Sequence, residues 1–156
     1  MEPFLAIGEL LKAKGHQVIC LLSEQFRYLA GGLVKPEEYN NRLFHFVPEV
    51  PYHWMFPRVY GVIHHGGAGT THLALKYGCV NLIIPHIIDQ FVWNSRIRQL
   101  GVGSKGMNIH QVNRKRLEPK ILELIHTAAF KENAKKIAIQ MKKEDFCEVL
   151  YRAIVE

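Results

Sequence analysis

The stretch with the clearest chemical potential is IHHGGAGTTH, residues 63–72, where three glycines stand among histidines and threonines. Each glycine costs about 1 kcal/mol in a helix relative to alanine, so regular secondary structure does not explain them. A glycine-rich turn between a strand and a helix lets the backbone approach a phosphate, and the free N–H groups of the helix start point at the anion. The stretch predicts a phosphate-binding loop. We expect Thr70 and Thr71 to cap the helix and supply hydroxyl donors, and His65 to donate a hydrogen bond to the same phosphate.

Other interpretations of these residues lead to different conclusions. A plain tight turn between a strand and a helix explains the glycines without any ligand. Two nucleotide motifs are absent, because residues 66–71 read GGAGTT instead of GxGxxG and no lysine follows the last glycine. A metal held by His64, His65 and His72 is disfavoured, since adjacent strand residues point to opposite faces of a sheet. We therefore expect no metal.

The elements around the loop alternate between buried strands and helices. Apolar and β-branched runs predict strands at 16–22, 43–47, 59–65 and 79–85. Apolar spacing and glycine stops predict helices at 3–14, 70–77, 89–100, 117–126, 131–143 and 144–156. The proline-rich segment 48–58 predicts an ordered loop with one helical turn. This order predicts an α/β fold, a Rossmann-like parallel sheet flanked by helices, with the glycine run where open α/β sheets usually bind ligands.

Composition and charge narrow the classes of function. The 156 residues, 48% hydrophobic and 22% charged, suit one globular domain. The net charge of +6 suits an anionic small molecule. The basic residues are dispersed and accompany no nucleic-acid motif, so no nucleic-acid partner is expected. Three widely spaced cysteines, Cys20, Cys79 and Cys147, favour a reducing, cytoplasmic compartment. We identify no signal peptide and no apolar run long enough to span a bilayer.

Residues 56–103 resemble the donor-binding half of family 1 glycosyltransferases with the two-domain GT-B fold, which act on sterols, glycolipids and antibiotics. The resemblance lies in HHGGAGTT, in PxxxDQ at Pro85–Gln90 and in the Trp93 that follows. It implies a nucleotide-diphosphate sugar such as a UDP-sugar as donor substrate, with no cofactor and no metal. The residues that the resemblance implies for the diphosphate are His65, Gly66, Gly67, Gly69 and Thr70.

For the sugar hydroxyls the resemblance implies Asp89 and Gln90, whose carboxylate and amide can accept and donate hydrogen bonds. Without the resemblance, the same pair is equally well explained as the N-cap and first turn of a helix. The loop Phe46–Val50, including Val47 and Val50, is implied to lie near the nucleobase. Val47 and Leu73 stand where the plant branch of the family has a uracil-stacking tryptophan and a ribose-binding glutamate, which leaves the nucleotide and the sugar open.

The resemblance also implies a domain division. Residues 1–30 resemble the start of the family's N-terminal domain, 31–42 form a junction, and 43–156 form a partial C-terminal domain, together one compact unit. Most of the acceptor domain is missing, and no residue matches the usual catalytic base, because His16 is better explained as a turn residue.

Three hypotheses on function follow from this division. The first is a donor domain that still binds a UDP-sugar. The second is a hexosyltransferase whose acceptor side, for a lipid, sterol or other hydroxyl, comes from another copy or chain. The third is an inactive structural remnant that forms a homo-oligomer to cover exposed sheet edges. The expected location is cytoplasmic, with peripheral attachment to a membrane as an alternative.

Overall fold

The computed structural model describes residues 50–143 and 146–155, with only the backbone described at 146–150. The elements predicted at 3–14, 16–22 and 43–47 lie outside these ranges. The strands are β1 (Gly61–His64), β2 (Val80–Ile83) and β3 (Gly103–Ser104). The α-helices are α1 (Tyr52–Met55), α2 (Ala68–Lys76), α3 (Ile88–Gln99), α4 (Arg114–His126), α5 (Ala128–Lys143) and α6 (Phe146–Val155). Two 3-10 turns occupy Phe56–Arg58 and Ile109–Gln111.

The described strands form a parallel sheet in the order β1-β2-β3. In its register Gly61 pairs with Val80, His64 with Ile83, and Asn81 with Gly103. All four residues of the central strand β2 are buried, as expected of a parallel strand covered on both faces. The predicted α/β class and the parallel sheet flanked by helices are confirmed. The carboxyl ends of β1 and β2 lie at one edge of the sheet, called here the carboxyl edge.

Helices α2, α3, α4 and α5 all contact β2, which places the hydrophobic core around that strand. Aliphatic side chains fill this core, and Phe130 adds one aromatic ring. Burial of each large aliphatic or aromatic side chain stabilises the folded state by about 1.5–3 kcal/mol, so this core supplies most of the hydrophobic contribution to stability. Its fully or nearly fully buried members include Leu82, Ile83, Ile97, Val102, Leu117 and Ala134.

The observed boundaries differ from the predicted ones at glycines and caps. Helix α2 begins at Ala68, two residues before the predicted start, because Gly67 takes the extended N-cap conformation with φ −60° and ψ 141°. Helix α4 begins at Arg114, three residues early, because the Asn113 side chain accepts a hydrogen bond from the Arg116 N–H at 3.1 Å. The two-residue strand β3 was not predicted. The segment 48–58 holds helix α1 and a 3-10 turn in its described part, as the prolines indicated.

At the opposite edge, the amino edge, side chains join the starts of β1 and β2 to the C-terminal helices. The Lys131 Nζ donates hydrogen bonds to the carbonyl oxygens of Tyr60, at 2.9 Å, and Gly78, at 2.8 Å. The buried Cys79 Sγ donates to the carbonyl oxygen of Phe56 at 3.3 Å, and burial raises the pKa of this thiol to about 11. Cys79 is thus a small buried residue, and the side chains of Cys20 and Cys147 lie outside the described part of the chain.

Candidate functional site

Residues 65–69, called here the glycine loop, comprise the turn after β1 and the first two residues of α2, at the carboxyl edge. Gly66 is buried and has φ +96°, a conformation that side chains rarely allow. A Cβ at this position would also collide with the Ile83 Cγ2 of the neighbouring strand. The turn itself therefore requires a glycine at position 66, which is the part of the run that a plain tight turn explains.

The start of helix α2 has no side-chain cap. The first bonded amide of the helix is that of Thr71, whose N–H donates to the Gly67 carbonyl at 3.0 Å, while its Oγ1 donates to the same oxygen at 2.9 Å. Thr70 and Thr71 lie inside the helix, so the prediction that they cap it is wrong. The N–H groups of the first turn, before Thr71, are left without intrahelical partners, as at any helix start, and are available to an anion.

Gly69 has no internal reason to be glycine. A Cβ added there meets no heavy atom within 4 Å, and the residue is exposed in the first turn of α2. Glycine at such a helical position lowers stability by about 1 kcal/mol relative to alanine. A plain turn therefore explains Gly66 but not Gly69, whereas close approach of a ligand to the backbone explains both.

The ring of His65 lies beside the helix start. It is exposed, and its Nε2 is 2.7 Å from the position that a Cβ on Gly67 would take. The His64 and His65 rings are 6.3 Å apart and almost perpendicular, at 84°. A hydrogen-bond donor next to free helical N–H groups suits a phosphate oxygen.

The loop after β2 places Asp89 and Gln90 at the same edge. Asp89 is exposed in the first turn of α3. Gln90 is only 7% exposed, and its Oε1 accepts hydrogen bonds from the N–H groups of His86 at 2.7 Å and Ile87 at 3.3 Å. Gln90 thus closes its own loop with its carbonyl oxygen and leaves its amide nitrogen for a ligand. The N-cap of α3 is Ile87, so Asp89 does not cap the helix.

The two loops touch each other. A Cβ on Gly66 would lie 3.4 Å from the Gln90 Cβ, which places the glycine loop against the first turn of α3. The His72 ring of α2 packs edge-on against the Trp93 ring of α3, with centroids 5.0 Å apart. The HHGGAGTT and PxxxDQ motifs, separate in the sequence, therefore form one surface.

An apolar strip borders this surface. Ile87, Ile88, Phe91 and Val92 are 62%, 88%, 40% and 67% exposed. They flank Asp89 and Gln90 at the start of α3. Of the residues implied for the nucleobase, Val47 lies outside the described residues, and Val50 is partly buried just before α1. Their contact with a nucleobase stays a prediction.

Sequence reasoning missed three side chains that shape the site. The His64 Nδ1 accepts a hydrogen bond from the Gly66 N–H at 3.1 Å, and its Nε2 is 3.1 Å from the Oδ1 of buried Asn81. The Asn94 side chain of α3 bonds the N–H of Gly106 at 2.9 Å and its carbonyl at 3.2 Å. The asparagine within the apolar strand CVNLIIP was the available indication, because a buried polar side chain needs a partner.

His64 should make the stability of the fold depend on pH. Burial, assisted by nearby His65, lowers the pKa of His64 from 6.5 to about 4, against the opposing effect of its bond to Asn81. Between these values the unfolded chain binds a proton at His64 that the folded chain does not. The free energy of unfolding should therefore fall as the pH falls from 6.5 to 4, by about 3 kcal/mol. Urea unfolding of the parent and of His64→Asn at several pH values measures this, and equal slopes in both would contradict it.

No three histidine, cysteine or acidic side chains in the described part of the chain are placed to share a metal ion. None of the helices in residues 50–143 and 146–155 combines the length and apolar character that crossing a membrane requires.

Comparison with known proteins shows the family to which the chain belongs. Residues 13–153 match the family described as erythromycin biosynthesis protein CIII-like, C-terminal domain. The sterol 3-beta-glucosyltransferase UGT80A2 of Arabidopsis thaliana is 35% identical over 115 residues, which cover 74% of this chain and 17% of that enzyme. Among solved structures, the spinosyn rhamnosyltransferase SpnG complexed with thymidine diphosphate has a TM-score of 0.79 at 19% identity, covering 99% of this chain and 40% of that chain.

The glycosyltransferase VinC in complex with DTDP has a TM-score of 0.62 at 26% identity, covering 78% of this chain and 29% of that chain. The family match also includes residues 13–42, which the resemblance divides between an N-terminal fragment and a junction. That division stays a prediction. The match spans most of the chain and includes both motifs of the site, so the chain belongs to the erythromycin biosynthesis protein CIII-like family, the C-terminal region of family 1 glycosyltransferases with the GT-B fold.

Proposed function

We propose that this chain binds the diphosphate of a nucleotide sugar at the start of helix α2. The observation that carries the proposal is the uncapped helix start with an exposed glycine, Gly69, in its first turn. Helix N-termini bind anions through free N–H groups and the helix dipole. His65 supplies a hydrogen bond beside the same N–H groups. Gly66 and Gly67 of the glycine loop and Thr70 in the first turn of α2 complete the proposed phosphate site.

The sugar is proposed to lie against the start of α3. Asp89 is exposed there and can accept hydrogen bonds from sugar hydroxyls, while the Gln90 amide nitrogen can donate one. Because the glycine loop contacts Gln90, a diphosphate at the helix start would bring its attached sugar near Asp89. In this proposal the diphosphate binds at the start of α2 and the sugar binds at the start of α3.

The donor is proposed to be a UDP-sugar, such as the glucose donor that the sterol 3-beta-glucosyltransferase relatives suggest, with a thymidine diphosphate sugar as the variant suggested by VinC. The acceptor is proposed to be a lipid, sterol or other small-molecule hydroxyl. The apolar strip of Ile87, Ile88, Phe91 and Val92 would suit an apolar acceptor or the second domain that holds it. No described residue is proposed as the base that transfer requires.

The alternative of an inactive structural remnant, with a homo-oligomer covering its edges, is disfavoured by Gly69. A remnant would not need an unobstructed glycine at position 69, where alanine would stabilise the helix. The chain matches only 17% of the length of the Arabidopsis relative. Transfer of the hexosyl group is therefore proposed as an activity of a protein that also contains an acceptor-binding part.

Isothermal titration with UDP, UDP-glucose and thymidine diphosphate tests the donor site. We expect the parent chain to bind UDP, and His65→Ala to weaken UDP at least tenfold, since a hydrogen bond to a charged group contributes about 1.5–3 kcal/mol. Asp89→Ala should weaken UDP-glucose several-fold and leave UDP unchanged, because only the glucose touches the carboxylate.

His126→Ala is the matched control, since it removes an exposed histidine at the C-terminus of α4, where the neighbouring Ile125 carbonyl accepts a hydrogen bond from Tyr60 at the amino edge. It should bind UDP like the parent. The proposal fails if the folded parent binds none of the three nucleotides at millimolar concentration, or if His65→Ala and His126→Ala bind equally well.

A further inference from the structure

We infer that His64 and Asn81 act as a positioning pair that holds the glycine loop in its ligand-binding shape, without touching the ligand. The inference rests on the proposed function for its effect on UDP, but not for its effect on the loop. Four groups form the connection: the Cys79 carbonyl, the Asn81 side chain, the His64 ring and the Gly66 N–H. This connection runs from the central strand of the sheet to the turn before α2.

The partners of the His64 ring determine which nitrogen carries its proton. The Gly66 N–H donates to Nδ1 at 3.1 Å, so Nδ1 must present a lone pair. The single ring proton then lies on Nε2 and is donated to the Asn81 Oδ1 at 3.1 Å. An imidazolium would have an N–H facing the N–H of Gly66, so the loop requires a neutral ring.

The side-chain amide of Asn81 cannot rotate to present its Nδ2 to His64. It is fully buried in β2, and its Nδ2 donates to the Cys79 carbonyl at 2.9 Å, which leaves Oδ1 facing His64. Its backbone N–H is also bonded, to the Val102 carbonyl at 3.0 Å. The asparagine is therefore a rigid acceptor that selects the Nε2–H form of the neighbouring imidazole.

Gly66, whose N–H is bonded to His64, controls the geometry of the site. Gly66 lies at φ +96° and is the last residue before the N-cap of α2, so its orientation sets where Gly67 and the first helical N–H groups point. Gly66 also lies against Ile83 and Gln90, and a displaced turn would shift the contact between the two loops. The ligand would contact the start of α2, whereas His64 would act on it only through Gly66, the residue before the N-cap.

Three substitutions test the inference. His64→Leu removes the acceptor for the Gly66 N–H. His64→Asn keeps one, because an asparagine Oδ1 occupies nearly the position of the histidine Nδ1. Asn81→Asp places a carboxylate beside Nε2, which favours the imidazolium and so puts a second proton on Nδ1. We expect UDP binding to weaken about tenfold in His64→Leu and Asn81→Asp, and to stay within about threefold of the parent in His64→Asn.

Nitrogen-15 spectra of the imidazoles and hydrogen exchange of the Gly66 amide provide a readout that does not need a ligand. In the parent, His64 should show the Nε2–H form at pH 7, and the Gly66 amide should exchange at least tenfold more slowly than in His64→Leu. His64→Asn should restore that protection, which general destabilisation would not do.

The outcomes distinguish this inference from the proposed function. An Nδ1–H form of His64 in the parent, or equal Gly66 exchange in parent and His64→Leu, overturns the positioning pair whether or not UDP binds. If the Nε2–H form and the protection are found but the parent binds no nucleotide, the proposed function fails and the pair stands as a support of the turn. Circular dichroism of all variants verifies that each one folds.

Discussion

Gly69→Glu is expected to weaken UDP binding at least a hundredfold while leaving the fold as stable as the parent or more so. Glutamate is a better helix former than glycine, and its charge is favourable in the first turn of a helix. The side chain meets no obstacle, since a Cβ at Gly69 has no heavy atom within 4 Å. The glutamate carboxylate would, however, occupy part of the space proposed for the diphosphate and repel its negative charge. A hundredfold loss of affinity corresponds to about 2.7 kcal/mol.

Titration with UDP and chemical unfolding of the same variant measure the two effects separately. Gly69→Ala is the smaller companion, with a gain in stability of up to about 1 kcal/mol and an intermediate loss of affinity. Undiminished UDP binding by Gly69→Glu would mean that the diphosphate is not at the start of α2. A large loss of stability would mean that Gly69 has a structural role that the open space around it does not reveal.

Gly106→Ala is expected to have the opposite profile, with a loss in the free energy of unfolding of at least about 3 kcal/mol. A Cβ on Gly106 would overlap the backbone carbonyl of Ile83. Ile83 is fully buried in the central strand, so that carbonyl cannot move away. Gly106 cannot move either, since the Asn94 side chain binds both its N–H and its carbonyl, at 2.9 and 3.2 Å.

Guanidinium unfolding compares Gly106→Ala with Gly69→Ala, in which the same methyl group is added where space is open. The two substitutions should change stability in opposite directions. A loss below about 1 kcal/mol in Gly106→Ala would show that the segment after β3 adjusts more easily than its contacts indicate. Asn94→Ala should destabilise the fold as well, by about 1–3 kcal/mol, because it leaves polar groups of Gly106 unpaired.

The order of elements could be predicted because their sequence periods are strong and local. The run CVNLIIP is continuous and apolar, as a strand buried on both faces must be, and β2 lies within it. The ends of elements were less predictable, since they depend on single backbone conformations. Gly67 starts α2 through its extended dihedrals, and no property of the neighbouring threonines shows this. Strand β3 has only two residues and forms because Asn81 and Leu82 are in place beside it.

The parts of the candidate site that form a sequence motif could be predicted. The parts that depend on residues distant in the sequence could not. The glycine loop and Asp89–Gln90 can be found from sequence spacing, and the structure brings them into contact. The role of His64 cannot be found in that way, because Asn81 is 17 residues away and becomes its partner only when β1 and β2 pair. Nor did the sequence reveal that the Gln90 Oε1 is used within its own loop. Each of these depends on tertiary contact.

The hydrogen bonds of Lys131 also have a consequence for synthesis on the ribosome. Gly78 is translated 53 residues before Lys131, whose ammonium group its carbonyl binds in the folded chain. At about 5–20 residues per second, that interval lasts about 3–10 s, which is long compared with the formation of a helix. During most of it, β1, α2 and β2 are present without α5, which packs against both α2 and β2. The amino edge of the sheet is therefore completed late in translation, and until then the face of α2 that packs against α5 is uncovered.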